Sequence, residues 1–196
     1  MSKPDKETLR DYTADLLTLE THLLNAVKKQ KSSEKVRIGE AIELLHVLDK
    51  TLSVHTTVLE KKVEGLDGER KSKIKSKIGS FTGQIAGLVD TVREDPVSKM
   101  MRDDYCSLSM IAIGYTMLHT LALAAKDSEL AELTSGNLSD IAQLITETSR
   151  VVPVVVASET TDDEQKAEEI WKEALKNTQD AWSTENMADR PEIVAT

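Results

Sequence analysis

The sequence predicts an all-α protein: two helical hairpins, a long connection between them, and one further helix at the C-terminal end. Three observations carry this. Apolar residues recur at steps of three and four through most of the 196 residues, the spacing of a helix face. Two Trp, three Tyr, one Phe, eight Gly and four Pro are too few for the aromatic, turn-rich strands of a β-sandwich. Two connections between periodic segments are very short and one is long, which makes two antiparallel hairpins joined by a crossover.

Segment one spans about 4–30. Ser2 is its expected cap, Pro4 and Asp5 suit a first turn, and Leu9, Tyr12, Leu16, Leu19, Leu23 and Ala26 form its seam. Segment two spans about 33–64, with Ile38, Ala41, Leu45, Leu48, Leu52, His55 and Leu59 on one side and Gly65-Leu-Asp-Gly68 as its stop. Segment three, about 70–92, keeps the same rhythm in Ile74, Ile78, Phe81, Ile85, Leu88 and Val92. Its Gly79, Gly83 and Gly87 share the opposite face and together cost roughly 3 kcal/mol of helix propensity. That face either admits close approach of another backbone or marks a loose connector.

Segment four opens at Asp95-Pro96, a cap followed by a first-turn proline, and runs to about 126. Met101, Leu108, Ile111, Tyr115, Leu118, Ala122 and Ala125 form its seam, but apolar residues extend well around it, so neighbours are expected on all sides. Its most apolar stretch, 110–125, includes Gly114, Tyr115 and His119 and falls short of the ~20 residues of a spanning helix, so no membrane span is expected. Segment five runs from Asp127-Ser128 to about Ala157, with Pro153 expected to kink or end it. Segment six follows Thr161-Asp-Asp-Glu164, a capping-box pattern. The expected organisation is a bundle over 1–157, including a crossover helix at 70–92, followed by an acidic amphipathic helix and loose tail over 158–196.

Charge narrows the function classes. The chain carries 25 basic and 34 acidic residues, a formal −9. Residues 157–196 hold 11 acids and 4 bases, a net −7, so the body is near balance and the tail repels nucleic acid. The basic run Arg70, Lys71, Lys73, Lys75 and Lys77 is read as solvated helix surface, and it lacks the interleaved aromatics of a single-strand binder. Cys106 is the single cysteine, which fits a reducing compartment, and the first twelve residues contain no apolar leader core. A cytoplasmic location is expected.

The stretches Tyr12–Ala26, His46–Lys61 and Tyr105–Pro153, above all Ile113–Leu133, resemble the ferritin-like superfamily, with the stress-associated YciE/YciF-type bundles as the nearest branch. The resemblance covers about 4–157. It implies a ferritin-like four-helix bundle with a helical crossover, and a carboxylate-bridged di-metal centre built from one Glu on each of two helices and Glu-x-x-His on the other two. The chain departs from that pattern. The slot before His55 holds Leu52, segment five offers Asn137-x-x-Asp140 and Asp140-x-x-Gln143, and Glu-x-x-His occurs nowhere.

Rise along the helices, at about 1.5 Å per residue, places Thr13, His55, His119 and Asn137 at nearly one height, with Glu20 and Asp140 within two turns. Two readings follow. One is a hydrogen-bonded core layer that sets register. The other is a metal site on His55, His119, Glu20 and Asp140 for iron, zinc or manganese, imidazole being a good transition-metal ligand. Asp104 projects into its seam and is read as hydrogen-bonded or solvated. Trp171, Leu175 and Trp182, on one side of an acidic amphipathic helix, are candidate anchors for a partner. The expected protein is non-catalytic or catalytically degenerate, with no cofactor. It works through self-association, a dimer being favoured, or through a partner docked on the C-terminal helix. The rivals are a metal-dependent oxidoreductase or metal-storage bundle, and a bundle enclosing a small apolar molecule.

Overall fold

The computed structural model describes residues 4–67 and 96–182, and these form five α-helices with no strand among them. They are α1 (Lys6–Lys31), α2 (Gly39–Asp67), α3 (Val97–Ala125), α4 (Ser128–Thr160) and α5 (Glu164–Ala181). The crossover helix expected at 70–92, with its glycine face and basic run, lies outside the described residues, as do Ser2, Asp95 and the tail beyond Trp182.

The starts of α1, α2 and α5 differ from the expected ones, where several short polar side chains stand close together, while α4 starts as expected at Asp127-Ser128. Asp5 caps α1, its carboxylate accepting the Thr8 N–H at 2.8 Å. Asp127 caps α4 in the same way through the Leu130 N–H. At α5 the cap is Asp163, which takes the Gln165 and Lys166 N–H groups, while Thr161 ends α4. α2 begins at Gly39, six residues later than expected, because Ser33 and Glu34 hold the chain in local turns through Val36 N–H and the Arg37 guanidinium. α4 runs through Pro153 to Thr160 and does not end at Ala157. Val155 and Ala157 beyond the proline are buried, and that packing offsets the hydrogen bond it removes.

Each hairpin is antiparallel, and the two lie side by side: α1 packs on α2 and α3, α4 packs on α3 and α2, and α5 lies on α4. The α1–α3 contact is antiparallel too, since Gln30 meets Asp104 while Glu20 meets Tyr115. So is the α2–α4 contact, where His55 faces Asp140 and Lys62 faces Glu129. The end of α2 and the start of α3 therefore lie at opposite ends of the helix cluster.

Leu16, Leu23, Leu45, Leu52, Leu108 and Ile141 are among the side chains of one shared aliphatic core. On α1 the buried stripe is turned from the expected seam: Tyr12, Leu19 and Ala26 are half-buried, while Thr13, Glu20 and Val27 are fully enclosed. The buried threonines Thr13, Thr56, Thr134 and Thr148 satisfy themselves on the carbonyl four residues back. Gly114 lets α1 approach α3 closely, since a Cβ there would lie 2.7 Å from the Leu16 side chain. α3 is long and apolar enough by length and composition to cross a membrane, a test that the core helix of a soluble protein also passes. Its inner face is buried, but Met110, Ile113, Met117 and Leu123 are exposed, so among the described residues it is not enclosed on all sides.

Candidate functional site

The polar side chains meet midway along the helices. His55, 3% exposed on α2, bridges two carboxylates. Its Nδ1 lies 3.2 Å from Oε1 of Glu20 on α1, and its Nε2 lies 3.2 Å from Oδ2 of Asp140 on α4. The same Glu20 oxygen accepts the Tyr115 hydroxyl from α3 at 2.7 Å, and Asn137 Nδ2 donates to that hydroxyl oxygen at 2.8 Å. The His55 and Tyr115 rings meet edge to face, with centroids 6.2 Å apart. All four helices thus contribute to one layer, in which Glu20 is wholly enclosed and its Oε2 has no hydrogen-bond partner.

Carboxylate oxygens only accept, so the imidazole that donates to both of these oxygens is the cation, with a proton on each nitrogen. Burial works against that charge. The Glu20 hydrogen bond and charge, followed by those of Asp140, outweigh it and hold the His55 pKa above its ordinary value. Burial first, and the Glu20 charge second, push the Tyr115 hydroxyl above the ordinary phenol range, which keeps it a donor.

The expected layer is only partly the one observed. The structure joins His55, Asn137, Glu20 and Asp140, with Tyr115 as the link. Thr13 is buried but bonded to Leu9 of its own helix. His119 turns aside, its Nδ1 facing the Ala131 carbonyl at 2.9 Å and the Thr134 hydroxyl at 3.1 Å. The late start of α2 accounts for the change on α1, because it brings His55 opposite Glu20, two turns beyond Thr13. Tyr115 and Gln30 were not singled out as polar-site residues by the sequence. A tyrosine in an otherwise aliphatic seam is the signal for the first, since a buried hydroxyl needs a partner.

The donor chemistry does not fit a metal centre. Glu20 and Asp140 sit at opposite nitrogens of one ring, so their oxygens do not converge with it on a common point, and an ion at either nitrogen would displace a proton and a hydrogen bond. Among the described residues no group of three or more His, Cys, Asp or Glu is arranged to hold a metal ion. A groove of about 430 Å³ borders the layer on the α2–α4 face, lined in part by His46, Lys50, Val54 and Asp140, and it is open to solvent.

The C-terminal anchors separate into two kinds. Ala167 is buried, and Trp171 and Leu175 are half-buried, on the helix that packs against α4, whereas Trp182 is 71% exposed. Cys106 is an exposed free thiol, and His22 is half-buried while His46 is exposed. Comparison with protein-family models, with curated proteins and with solved structures gives no match to this chain.

Proposed function

We propose that this chain is a ferritin-like helical bundle that works through association with a second copy of itself, and that its polar layer organises the core and performs no turnover. The observation that carries the reading is the outer face of α3. From Tyr105 to Ala125 that helix has no charged residue, and its Met110, Ile113 and Met117, spaced three and four apart, stand in solvent, Ile113 at 63%. Two copies meet there without like-charge repulsion despite the net −9. The opposed ends of α2 and α3 support the ferritin-like plan, which joins two hairpins by one connection along the bundle. The stress setting enters with the resemblance alone, and a cytoplasmic location goes with the exposed thiol of Cys106.

A second reading rests on Trp182 and the exposed Ile170: docking of a protein partner on α5. Light scattering separates the two. For the full chain a dimer is expected, shifting to monomer in the Ile113→Glu, Met117→Glu double variant. A monomeric wild type, or a mass unmoved by the double variant, overturns the α3 reading. Metal analysis of chain purified without chelators tests the rival metal function: stoichiometric metal that disappears in His55→Ala would establish it.

A further inference from the structure

A second buried carboxyl lies apart from the His55 layer, near the other end of α1. Gln30, in the last turn of α1, and Asp104, in the second turn of α3, are each 2% exposed. Gln30 Nε2 donates to Asp104 Oδ1 at 2.9 Å. The remaining oxygen of each, Gln30 Oε1 and Asp104 Oδ2, is buried without a hydrogen-bond partner. A carboxamide presents a donor and an acceptor side by side, and a carboxylic acid presents the complementary pair. An ionised carboxylate presents acceptors alone and leaves both of those oxygens orphaned.

We propose that Asp104 is held as the neutral acid in the folded chain, closing a two-bond acid–amide ring with Gln30 that clamps α1 to α3 and opens when the proton is lost. One proton on Oδ2 satisfies both orphaned oxygens at once. The surroundings favour it. Burial pushes the Asp104 carboxyl up to about 7, the Gln30 bond opposes this in part, and the neighbouring Asp103 charge adds to the rise. Asp103 itself is paired with Arg102. Among the described residues, the groups that act on the Asp104 carboxyl are Gln30, which is neutral, and Asp103, an acid, and neither brings a countercharge. The clamp sits where α3 begins and α1 ends, so its opening loosens that end of the bundle. It is independent of the association reading.

The sign of the effect follows from linkage. The folded chain keeps a proton that the unfolded chain releases near 3.8, so stability from this group falls as pH rises from about 4 to about 7 and is level above. Two measurements on the full chain test it. The carbon-13 resonance of the Asp104 carboxyl in the wild type is expected to titrate near 7, and titration among ordinary carboxylates near 4 overturns the proposal. Asp104→Asn supplies the same planar donor–acceptor edge without the proton. Between pH 4 and 7 the unfolding constant of the wild type is expected to rise by up to tenfold per pH unit more than that of the variant. Parallel pH profiles for the two chains overturn it as well.

Discussion

Two of the polar side chains that α1 buries, Glu20 and Gln30, mark two stations at which a buried carboxyl is treated in opposite ways. Glu20 meets a base. Its Oε1 accepts from His55 and from Tyr115, and a second carboxylate at the far side of the ring steadies the imidazolium. Asp104, brought against Gln30, meets an amide and no cation, and burial moves it toward its protonated form. Glu20 is enclosed with a side chain able to carry the opposite charge, whereas Asp104 is not, and burial favours the proton there. The first station links four helices, the second only two.

The contrast can be broken at several points. The largest loss is expected for Glu20→Ala, which leaves the imidazolium enclosed beside one largely exposed carboxylate, at about 3–5 kcal/mol in denaturant unfolding. Glu20→Gln keeps a hydrogen-bonding side chain and is expected to cost less. Tyr115→Phe removes the donor to Glu20 and the acceptor of Asn137, and about 1–3 kcal/mol is expected from the same measurement. Equal stability of Tyr115→Phe and wild type would mean that the hydroxyl is dispensable.

The pH dependence sharpens the comparison. The His55 pKa is raised, so its contribution is complete below its unfolded value of 6.5 and is lost as pH rises through the higher folded value. The Asp104 contribution is lost at lower pH, between about 4 and 7. Denaturation midpoints measured from pH 5 to 9 are expected to fall with rising pH in the wild type, with the upper part of the fall absent in a folded His55→Gln variant. Asp140→Asn is expected to cost under about 1 kcal/mol at pH 7, because the Asp140 side chain is 58% exposed and water screens its pairing. The smallest effects distinguish two helical glycines. Gly136 faces open space, and Gly136→Ala is expected to stabilise by about 0.5–1 kcal/mol. Gly114→Ala sets a methyl 2.7 Å from the enclosed Leu16 and is expected to lower the thermal midpoint.

The helices were legible because their seams repeat: Leu45, Leu48, Leu52 and Leu59 on α2, and Leu108, Ile111, Tyr115 and Leu118 on α3, are all buried where the three–four spacing puts them. The pairing between helices was not. Thr13 and Glu20 are seven residues apart, and a seam shifted by seven coincides with itself, so periodicity cannot tell which of them meets His55. The chain between Lys31 and Gly39 decides it, through local turns that the apolar spacing does not reveal. The caps moved by two or three residues for a related reason, since Asp5 and Asp163 stand beside other competent short side chains. Gln30 carried no mark beyond its place at the end of a periodic segment, and its role depends on Asp104, 74 positions away.

Nitrogen-15 NMR of the His55 ring tests the closed layer most directly. Both ring nitrogens are expected to be protonated at pH 6.5 in the full chain, with shifts unmoved by one equivalent of zinc. A bare nitrogen at that pH, or a ring resonance that moves to a metal-bound position on adding zinc, would contradict it.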